Sequence, residues 1–215
     1  MLNYRNYIKY GYTDFFNRAS CIEGFSKHEL DYLKQNHIST IIDLRQHHLN
    51  HRDYDFDIDT YFTYFNFGLV IRLFSSVEDQ RILINEYMNI VEQYTAIRCI
   101  LKTIANASEK VLVYCSWGKD RTGIIACLVL MIAGVPKDKI VEDYSMSEGQ
   151  IYSYICSNHD SRIPDSFLHA DSSYMEQFID AFEIKYQDIS MYCNKIGFNK
   201  RDIDLIRRKF SNENV

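Results

Sequence analysis

The segment from Tyr114 to Ile124 combines a cysteine, an arginine and a hydroxyl near the start of a predicted helix. It reads Tyr-Cys-Ser-Trp-Gly-Lys-Asp-Arg-Thr-Gly-Ile, so five residues separate Cys115 from Arg121. An arginine side chain is a planar fork that matches two oxygens of a phosphate, and a thiolate beside it is a strong nucleophile. The pattern therefore predicts attack of the cysteine on a bound phosphate.

A predicted strand and a predicted helix flank this loop. Val111-Leu112-Val113 is a short apolar run after polar residues, which indicates a buried strand. Ile124 to Ala133 is apolar throughout and indicates a buried helix, with Gly134 at the expected left-handed C-cap. The loop thus occupies a strand-to-helix turn, where unpaired backbone N–H groups and the helix dipole favour an anion and the thiolate.

The residues between the cysteine and the helix have separate expected roles. Ser116, Trp117, Gly118 and Lys119 are the predicted phosphate cradle, in which glycine permits a close approach of the backbone. Lys119 has an equally good interpretation as a solvated surface lysine. Thr122 is expected to donate its hydroxyl hydrogen to the cysteine sulfur and so to stabilise the thiolate and its departure.

A carboxylate is expected to protonate the leaving group and later to activate water. Many cysteine phosphatases carry this acid in an upstream Trp-Pro-Asp loop, but the one tryptophan here is Trp117 and both prolines follow it. Asp120, inside the loop, is therefore the predicted acid, and its alternative interpretation is a helix N-terminal charge. Asp79 and Glu86 are the remaining upstream candidates.

The loop resembles that of a bacterial tyrosine-phosphatase-like family, in which it reads Cys-x-x-Gly-Lys-Asp-Arg-Thr-Gly, and the resemblance covers nearly the whole chain. Its further segments are Phe16–Ser20, Ile38–Arg45, Gly134–Pro136, Ile140–Ser147 and Gly197–Phe210. The family's members act on phosphotyrosine, in some cases on phosphoserine or phosphothreonine, and on phosphoinositides. The resemblance implies an α/β cysteine-phosphatase fold, with a largely parallel central sheet, flanking helices and a helical C-terminal portion.

The family's functional residues fall on specific positions of this chain. The resemblance makes Cys115 the phosphocysteine nucleophile, Arg121 the phosphate ligand and Asp120 the proposed acid. It assigns recognition of additional phosphates to Lys119. Asp43 falls on the family's Asp-Leu-Arg strand, where the resemblance implies a supporting role near the loop arginine in substrate binding; a strand-end turn residue is the alternative. No cofactor and no metal are implied.

The chain departs from the family pattern at two places. A histidine commonly precedes the cysteine in phosphatases of this broad class, and here that position is Tyr114. The family's N-terminal Asn-x-Arg-Asp-Leu-Gly-Gly is reduced to Asn3-Tyr4-Arg5-Asn6-Tyr7. The loop dipole and the nearby cations must then suffice to stabilise the thiolate, and the role of the N-terminal segment stays open.

Length, composition and net charge limit the number of domains and the kinds of partner. A chain of 215 residues, 47% of them apolar, predicts one domain over 1–215. The net charge of −5 favours neither nucleic acid nor an acidic membrane as a partner, so a phosphorylated protein or phosphoinositide substrate is the expected partner. A basic cluster near the end of the chain is interpreted as charges at a helix C-terminus; it comprises Lys200, Arg201, Arg207, Arg208 and Lys209.

The cysteines and the N-terminus predict a reducing, cytoplasmic location without stable membrane insertion, although export by a route without a signal peptide stays open. No Cys-x-x-Cys pair occurs, and the first residues lack an apolar signal-peptide core. The helix from Ile124 to Ala133 is too short to cross a bilayer. The cysteines other than Cys115 are predicted to be structural: Cys21, Cys99, Cys127, Cys156 and Cys193.

Periodicity and capping signals place the other elements. A capping box at Ser26 predicts a short helix, strands are expected at Thr40–Leu44 and around Tyr61–Phe67, and Val77–Ile104 predicts one long or broken helix. Further helices are predicted at Asp138–Met146, Tyr174–Lys185, Asp188–Lys195 and Lys200–Phe210, the last capped by Asn199. The histidines at 47, 48 and 51 fit a solvated loop better than a metal site.

Three functions are compatible with these residues. A phosphatase that works through a cysteinyl-phosphate intermediate explains the cysteine, aspartate, arginine and threonine together. A catalytically silent domain that binds phosphorylated partners is the alternative, which Tyr114 keeps open. Sulfur transfer of the rhodanese kind also uses a cysteine in an amide-lined loop, but those loops seldom carry a Lys-Asp-Arg run.

Overall fold

A parallel sheet forms the centre of the protein. The computed structural model describes residues 1–21, 25–46, 61–73, 79–158, 160 and 162–211. The strands are β1 (Phe16–Ser20), β2 (Ile38–Asp43), β3 (Thr63–Asn66) and β4 (Lys110–Cys115). Their order is β1-β4-β2-β3, and each neighbouring pair is parallel. The carboxyl ends of these strands therefore lie along one edge of the sheet, where α/β proteins commonly bind ligands.

Helices cover the sheet and make up most of the C-terminal half. They are α1 (Lys27–Gln35), α2 (Gln80–Val91), α3 (Tyr94–Asn106), α4 (Asp120–Ala133), α5 (Lys137–Asn158), α6 (Ser172–Tyr186), α7 (Ile189–Ile196) and α8 (Lys200–Phe210). This architecture confirms the expected α/β class with a parallel central sheet and a helical C-terminal portion. No helix within the described ranges combines the length and apolar character needed to cross a membrane.

Strand β4 lies between β1 and β2, and apolar clusters cover both of its faces. Alternate side chains of a strand point to opposite faces. Val111, Val113 and Cys115 accordingly join the larger apolar cluster, whereas Leu112 and Tyr114 join the smaller one under α1. A strand covered on both sides reads as a continuous apolar run, which explains the sequence signal before the loop.

The capping signals are confirmed. The Glu29 amide donates to Ser26 Oγ, and the Ser26 amide donates to the Glu29 carboxylate at 2.9 Å, which completes the capping box of α1. Asn199 and Asp202 form the same reciprocal pair at α8. Gly134 closes α4 in the left-handed region at φ 81°. Local sequence was sufficient here because each of these bonds joins close neighbours in the chain.

The predicted long helix is two helices, α2 and α3, which separate at Glu92 and Gln93. The Gln93 side chain accepts from the Val70 amide at 3.0 Å and donates to the Val70 carbonyl at 2.9 Å. This pairing with a distant segment holds the interruption in place. The predicted start at Val77 lies outside the described residues, as do the histidines at positions 47, 48 and 51.

Strand β1 was not predicted as a strand, although its segment carried part of the resemblance. Its residues are all buried, yet Asn17, Arg18 and Ser20 are polar. Polar residues interrupt the apolar run that marks a buried strand. Arg18 bonds Asp143 and the loop, whereas the side chains of Asn17 and Ser20 bond segments near the N-terminus.

Candidate active site

The loop of residues 116–119 joins β4 to α4 and lies at the carboxyl edge of the sheet. Cys115 is the last residue of β4 and Asp120 the first of α4, so the predicted strand-to-helix turn is present. Cys115, only 2% exposed, lines a cavity of about 310 Å³. The other lining residues are Gln46, Ile71, Leu73, Ser116, Trp117, Asp120, Arg121 and Ile163.

Gly118 is required by both conformation and space. Its φ of +65° lies in the left-handed region, and an added Cβ would stand 2.4 Å from the Ala19 carbonyl oxygen of β1. Both conditions exclude larger residues because a side chain would force the loop away from β1. The loop therefore packs its backbone directly against the neighbouring strand, as its glycine predicted.

Arg121 reaches the cavity with spare donor capacity. Its Nη1 donates to the Leu44 carbonyl and its Nη2 to Ser116 Oγ, both at 3.3 Å. These bonds are long, and a guanidinium has five N–H donors. The half-buried fork can therefore bond an oxyanion while these contacts orient it.

Asp120 is 4% exposed and lines the same cavity. Its Oδ1 accepts from the Tyr87 hydroxyl at 2.6 Å and lies 3.2 Å from Lys119 Nζ. Within the described residues no donor contacts its Oδ2. One carboxylate oxygen is thus fixed by the protein and the other is available to a reacting group.

Tyr87 is a consistent donor to Asp120. Burial raises its pKa well above the usual value, and the charge of Asp120 adds to the effect. The phenol therefore stays protonated, and it lies 2.7 Å from the hydroxyl of Tyr144. The two tyrosines hold the carboxylate through a buried pair of hydroxyls.

Lys119 has contacts that differ from the expected phosphate contact. Its side chain is fully buried, and its ammonium donates to the Phe167 carbonyl and, at 2.9 Å, to the His169 carbonyl. Glu148 of α5 holds the same segment by accepting from the Ala170 amide at 2.5 Å. Lys119 does not line the cavity. It links the loop to the chain between α5 and α6, which also supplies Ile163 to the cavity wall.

Asp43 is fully buried and lies behind the loop rather than in the cavity. Its carboxylate accepts from Arg45 Nη2 at 2.9 Å, from the Tyr64 hydroxyl at 3.0 Å and from the Tyr114 hydroxyl at 2.8 Å. Tyr114, which replaces the common histidine, is thereby anchored through its hydroxyl. Asp43 is followed by Leu44, whose carbonyl accepts from Arg121. Asp43 thus lies one residue from a contact of the loop arginine, and its supporting role in substrate binding stays a prediction.

Thr122 is fully buried, and its hydroxyl oxygen has no hydrogen-bond partner in the part of the chain that the structure describes. The predicted bond from this hydroxyl to the Cys115 sulfur is therefore not formed in this structure. Rotation about the C–O bond moves only the hydrogen, so a bond to sulfur requires another rotamer of the Thr122 side chain.

The two upstream carboxylates have structural partners. Asp79 caps α2 by accepting from the Arg81 amide at 2.9 Å, and Glu86 accepts from the Arg72 amide at 2.8 Å. Neither of them lines the cavity. Among the carboxylates considered from the sequence, Asp120 is the one at the cavity.

A buried ionic network behind the loop was missed by sequence reasoning. Asp143 of α5 accepts from Arg5 Nε at 2.7 Å and from Arg18 Nη1 at 2.5 Å. Burial opposes its charge, but Arg18 and Arg5 hold the pKa of the Asp143 carboxyl below its usual range. Asn3 completes the network by donating to the Trp117 and Gly118 carbonyls at 3.1 Å. The available signals were the polar residues within β1 and the Asn-x-Arg at the N-terminus.

The chain is similar in sequence to known phosphatases. A profile described as the tyrosine phosphatase family matches residues 11–212. A tyrosine-protein phosphatase of Nostoc commune is 59% identical over 44 residues, which are 19% of this chain and 15% of that protein. The triple specificity protein phosphatase PtpB of Mycobacterium tuberculosis is 36% identical over 73 residues, 33% of this chain and 26% of that protein. The matched segments thus span about a quarter or less of these relatives.

Two solved structures of Siw14 are similar to this chain at low identity. The Siw14 catalytic core is 13% identical, covers 92% of this chain and 94% of that chain, and has a TM-score of 0.47. The core catalytic domain of the PP-IP phosphatase SIW14 from S. cerevisiae, with citrate, is 13% identical over 86% and 93% of the two chains, with a TM-score of 0.44. The profile match over residues 11–212 carries the assignment: the chain belongs to the tyrosine phosphatase family.

Proposed function

We propose that the protein is a phosphatase that hydrolyses phosphomonoesters through a cysteinyl-phosphate intermediate on Cys115. The observation that carries the proposal is the meeting of Cys115, Arg121 and Asp120 at one cavity at the N-terminus of α4. The helix terminus and the arginine favour a dianion at this place. A nucleophile, an anion ligand and a carboxylate are the groups that phosphoryl transfer to cysteine requires.

In the first step the Cys115 thiolate attacks phosphorus, the S–P bond forms and the P–O ester bond breaks. Asp120, protonated at the start of this step, gives its proton to the leaving oxygen through Oδ2, the oxygen without a protein donor among the described residues. Arg121 and the loop amides bind the nonbridging phosphate oxygens throughout. The products of this step are the free alcohol or phenol, the phosphocysteine and an ionised Asp120.

In the second step water attacks phosphorus and the S–P bond breaks. Asp120 now accepts the proton of the attacking water, which restores its acid form, and phosphate leaves. The sulfur departs as a thiolate, and the Thr122 hydroxyl is the proposed donor to it after a change of its side-chain rotamer about the Cα–Cβ bond. Each cycle converts one phosphomonoester and one water into the alcohol or phenol and phosphate, and it needs no cofactor.

The proposed first substrate class is phosphotyrosine. Apolar side chains of Trp117, Ile71, Leu73 and Ile163 line the cavity beside the polar centre and can contact an aromatic ring. PtpB is named a triple specificity phosphatase, and Siw14 a PP-IP phosphatase. The family resemblance adds phosphoserine, phosphothreonine and phosphoinositides as the other substrates that we propose to compare.

The decisive experiment compares the parent protein with Cys115→Ser on an aryl phosphate, phosphotyrosyl and phosphoseryl peptides and soluble phosphoinositides. We expect Cys115→Ser to reduce turnover by at least about a thousandfold, because an alcohol is a far weaker nucleophile than a thiolate at neutral pH. The matched control is Cys99→Ser on α3, which should keep the parent activity. Turnover by Cys115→Ser near that of the parent would contradict the proposal, and binding without turnover by the parent would favour the silent binding domain.

A further inference from the structure

The carbonyl groups of the loop are bonded from one side by two residues remote in sequence. Arg18 Nη2 donates to the Gly118 carbonyl at 2.6 Å and to the Lys119 carbonyl at 3.4 Å. Asn3 Nδ2 donates to the Trp117 and Gly118 carbonyls at 3.1 Å. Three consecutive peptide groups thus present their oxygens to Asn3 and Arg18. The Lys119 oxygen also accepts from the Gly123 amide at 2.8 Å, so α4 shares in orienting the third of these groups.

Peptide planarity converts this contact into an orientation of the amides. In a trans peptide the C=O and the following N–H point in opposite directions. With the carbonyls of residues 117, 118 and 119 held towards Asn3 and Arg18, the N–H groups of Gly118, Lys119 and Asp120 point the other way. Neither Asn3 nor Arg18 lines the cavity, whereas Trp117 and Asp120 of the loop do.

The Arg18 side chain is itself rigidly held. It is fully buried, and its Nη1 donates to Asp143 Oδ2 at 2.5 Å while Nη2 contacts the loop. The other carboxylate oxygen of Asp143 accepts from Arg5. A planar fork with one arm on a carboxylate and the other on a carbonyl has a fixed direction, which a single ammonium group cannot reproduce.

We propose that Arg18, clamped by Asp143 and assisted by Asn3, is a positioning residue that aims the amides of Gly118, Lys119 and Asp120 at the bound oxyanion. This inference rests on the proposed function, because the oxyanion is the phosphate of the substrate. Arg18 acts through the loop backbone and does not contact the substrate. Its contribution is to set the amide directions before the ligand arrives, so that binding does not have to reorganise the loop.

The primary test uses Arg18→Lys and the control Arg5→Lys. Both changes replace a buried guanidinium that bonds Asp143, but Arg18 bonds loop carbonyls directly, whereas Arg5 reaches the loop through Asn3, to whose side chain it donates. The measurements are the dissociation constant of tungstate by calorimetry, kcat and KM on an aryl phosphate, and the urea midpoint. We expect Arg18→Lys to weaken tungstate binding about tenfold or more, the size of one lost charged hydrogen bond. Arg5→Lys should weaken tungstate binding clearly less than Arg18→Lys, by no more than removal of the Asn3 amide donor would, at a comparable loss of stability.

A second variant keeps the proposal testable if Arg18→Lys does not fold. Asn3 has φ 56° and accepts glycine without strain, so Asn3→Gly removes the amide donor and retains the backbone. His37, at φ 60° and exposed, is the matched control as His37→Gly. We expect a loss of about three- to tenfold in tungstate affinity for Asn3→Gly alone, as for one neutral hydrogen bond.

The amide signals of the loop separate positioning from general stability. In the parent, tungstate should shift the ¹⁵N–H resonances of Gly118, Lys119 and Asp120, and in folded Arg18→Lys these shifts should be reduced. Equal losses of tungstate affinity in the Arg18 and Arg5 variants, or no loss in either, would overturn the positioning role of Arg18. The proposed function would still stand in that case if the parent protein hydrolyses the aryl phosphate. A parent that neither binds tungstate nor hydrolyses an aryl phosphate would overturn both.

Discussion

The two sides of the loop between β4 and α4 differ in how their polar groups are used. On the side of Asn3 and Arg18, the loop carbonyls and the guanidinium are bonded to each other and to Asp143. On the cavity side, Arg121 makes only long bonds, and Asp120 Oδ2 contacts no donor within the described ranges. The protein therefore fixes the loop from behind and leaves its bonding capacity free in front.

The ionic network of Arg5, Arg18 and Asp143 behind the loop is costly to bury, so its presence at this place needs a physical reason. Two arginines and one aspartate lie almost completely inside the protein, and a buried ion pair seldom adds stability over an apolar replacement. Such groups are useful when they specify a geometry. We therefore expect substitutions on the cavity side to change mainly ligand binding and turnover. Substitutions behind the loop should also lower the stability of the fold.

The largest expected effect on the cavity side comes from Arg121→Lys. A single ammonium cannot bond two phosphate oxygens in parallel, so we expect kcat/KM on an aryl phosphate to fall by about a thousandfold. The urea midpoint should stay near that of the parent because Arg121 is half-buried and makes only long protein bonds. Arg81→Lys, in an exposed pair with Asp79, is the control, and a loss below about tenfold would contradict the role of Arg121.

The largest expected effect behind the loop comes from Asp143→Asn. Removing this charge leaves two buried guanidinium groups without their anion, so the free energy of unfolding should drop by about 3–5 kcal/mol. Urea denaturation measures the drop, and Asp180→Asn in the exposed pair with Lys137 is the control. A change below about 1 kcal/mol would mean that the network does not hold the fold.

The same variant predicts a pH dependence with a definite sign. Arg18 and Arg5 hold the pKa of the Asp143 carboxyl below its usual range against the effect of burial, so in acid the unfolded chain binds this proton first. The stability contributed by Asp143 is therefore fully present above about pH 4 and is lost as the pH falls towards the lowered pKa. The stability curve of Asp143→Asn should be flatter than the parent curve in that range. Parallel curves would contradict the assignment.

A smaller effect on the cavity side is expected from Asp120→Asn, which keeps the acceptor for Tyr87 but cannot donate a carboxyl proton. Hydrolysis of alkyl phosphates should fall by about a hundredfold, and that of aryl esters with activated leaving groups by clearly less. Rates on a series of leaving groups measure the difference. Asp79→Asn serves as control, and equal losses across the series would remove Asp120 from the acid role.

The smallest expected effect is that of Lys119→Met, and it separates the two interpretations of this lysine. Loss of the bonds to the Phe167 and His169 carbonyls should lower the free energy of unfolding by about 1–3 kcal/mol. Tungstate affinity should change less than about threefold, because the ammonium does not line the cavity and lies behind Asp120, at 3.2 Å from its Oδ1. A loss of affinity above about tenfold, with little loss of stability, would restore the phosphate contact expected from the sequence.

Much of the front of the site could be predicted because its signals are local. The cysteine, glycine, aspartate and arginine of the loop, the strand before it and the helix after it all fall within one short segment. The helix caps at Ser26 and Asn199 could be predicted for the same reason. Each depends on bonds between residues a few positions apart.

The rear of the site could not be predicted because its bonds join distant segments. Asn3 lies 114 residues from Trp117, and Arg18 lies 100 residues from Gly118. The contacts of Lys119 with carbonyls of residues 167 and 169 have the same character. A sequence pattern states which residues can bond, but the packing of β1, α5 and the N-terminal segment decides which of them meet.

The most direct test of the central claim is to trap the phosphocysteine. The parent protein, mixed with an aryl phosphate and quenched in acid within the first turnover, should carry one phosphoryl group on the peptide that contains Cys115. Mass spectrometry should find the modified sulfur in the parent and an unmodified peptide in Cys115→Ser. Rapid release of the phenol with no phosphoryl group on Cys115 at any quench time would contradict the account.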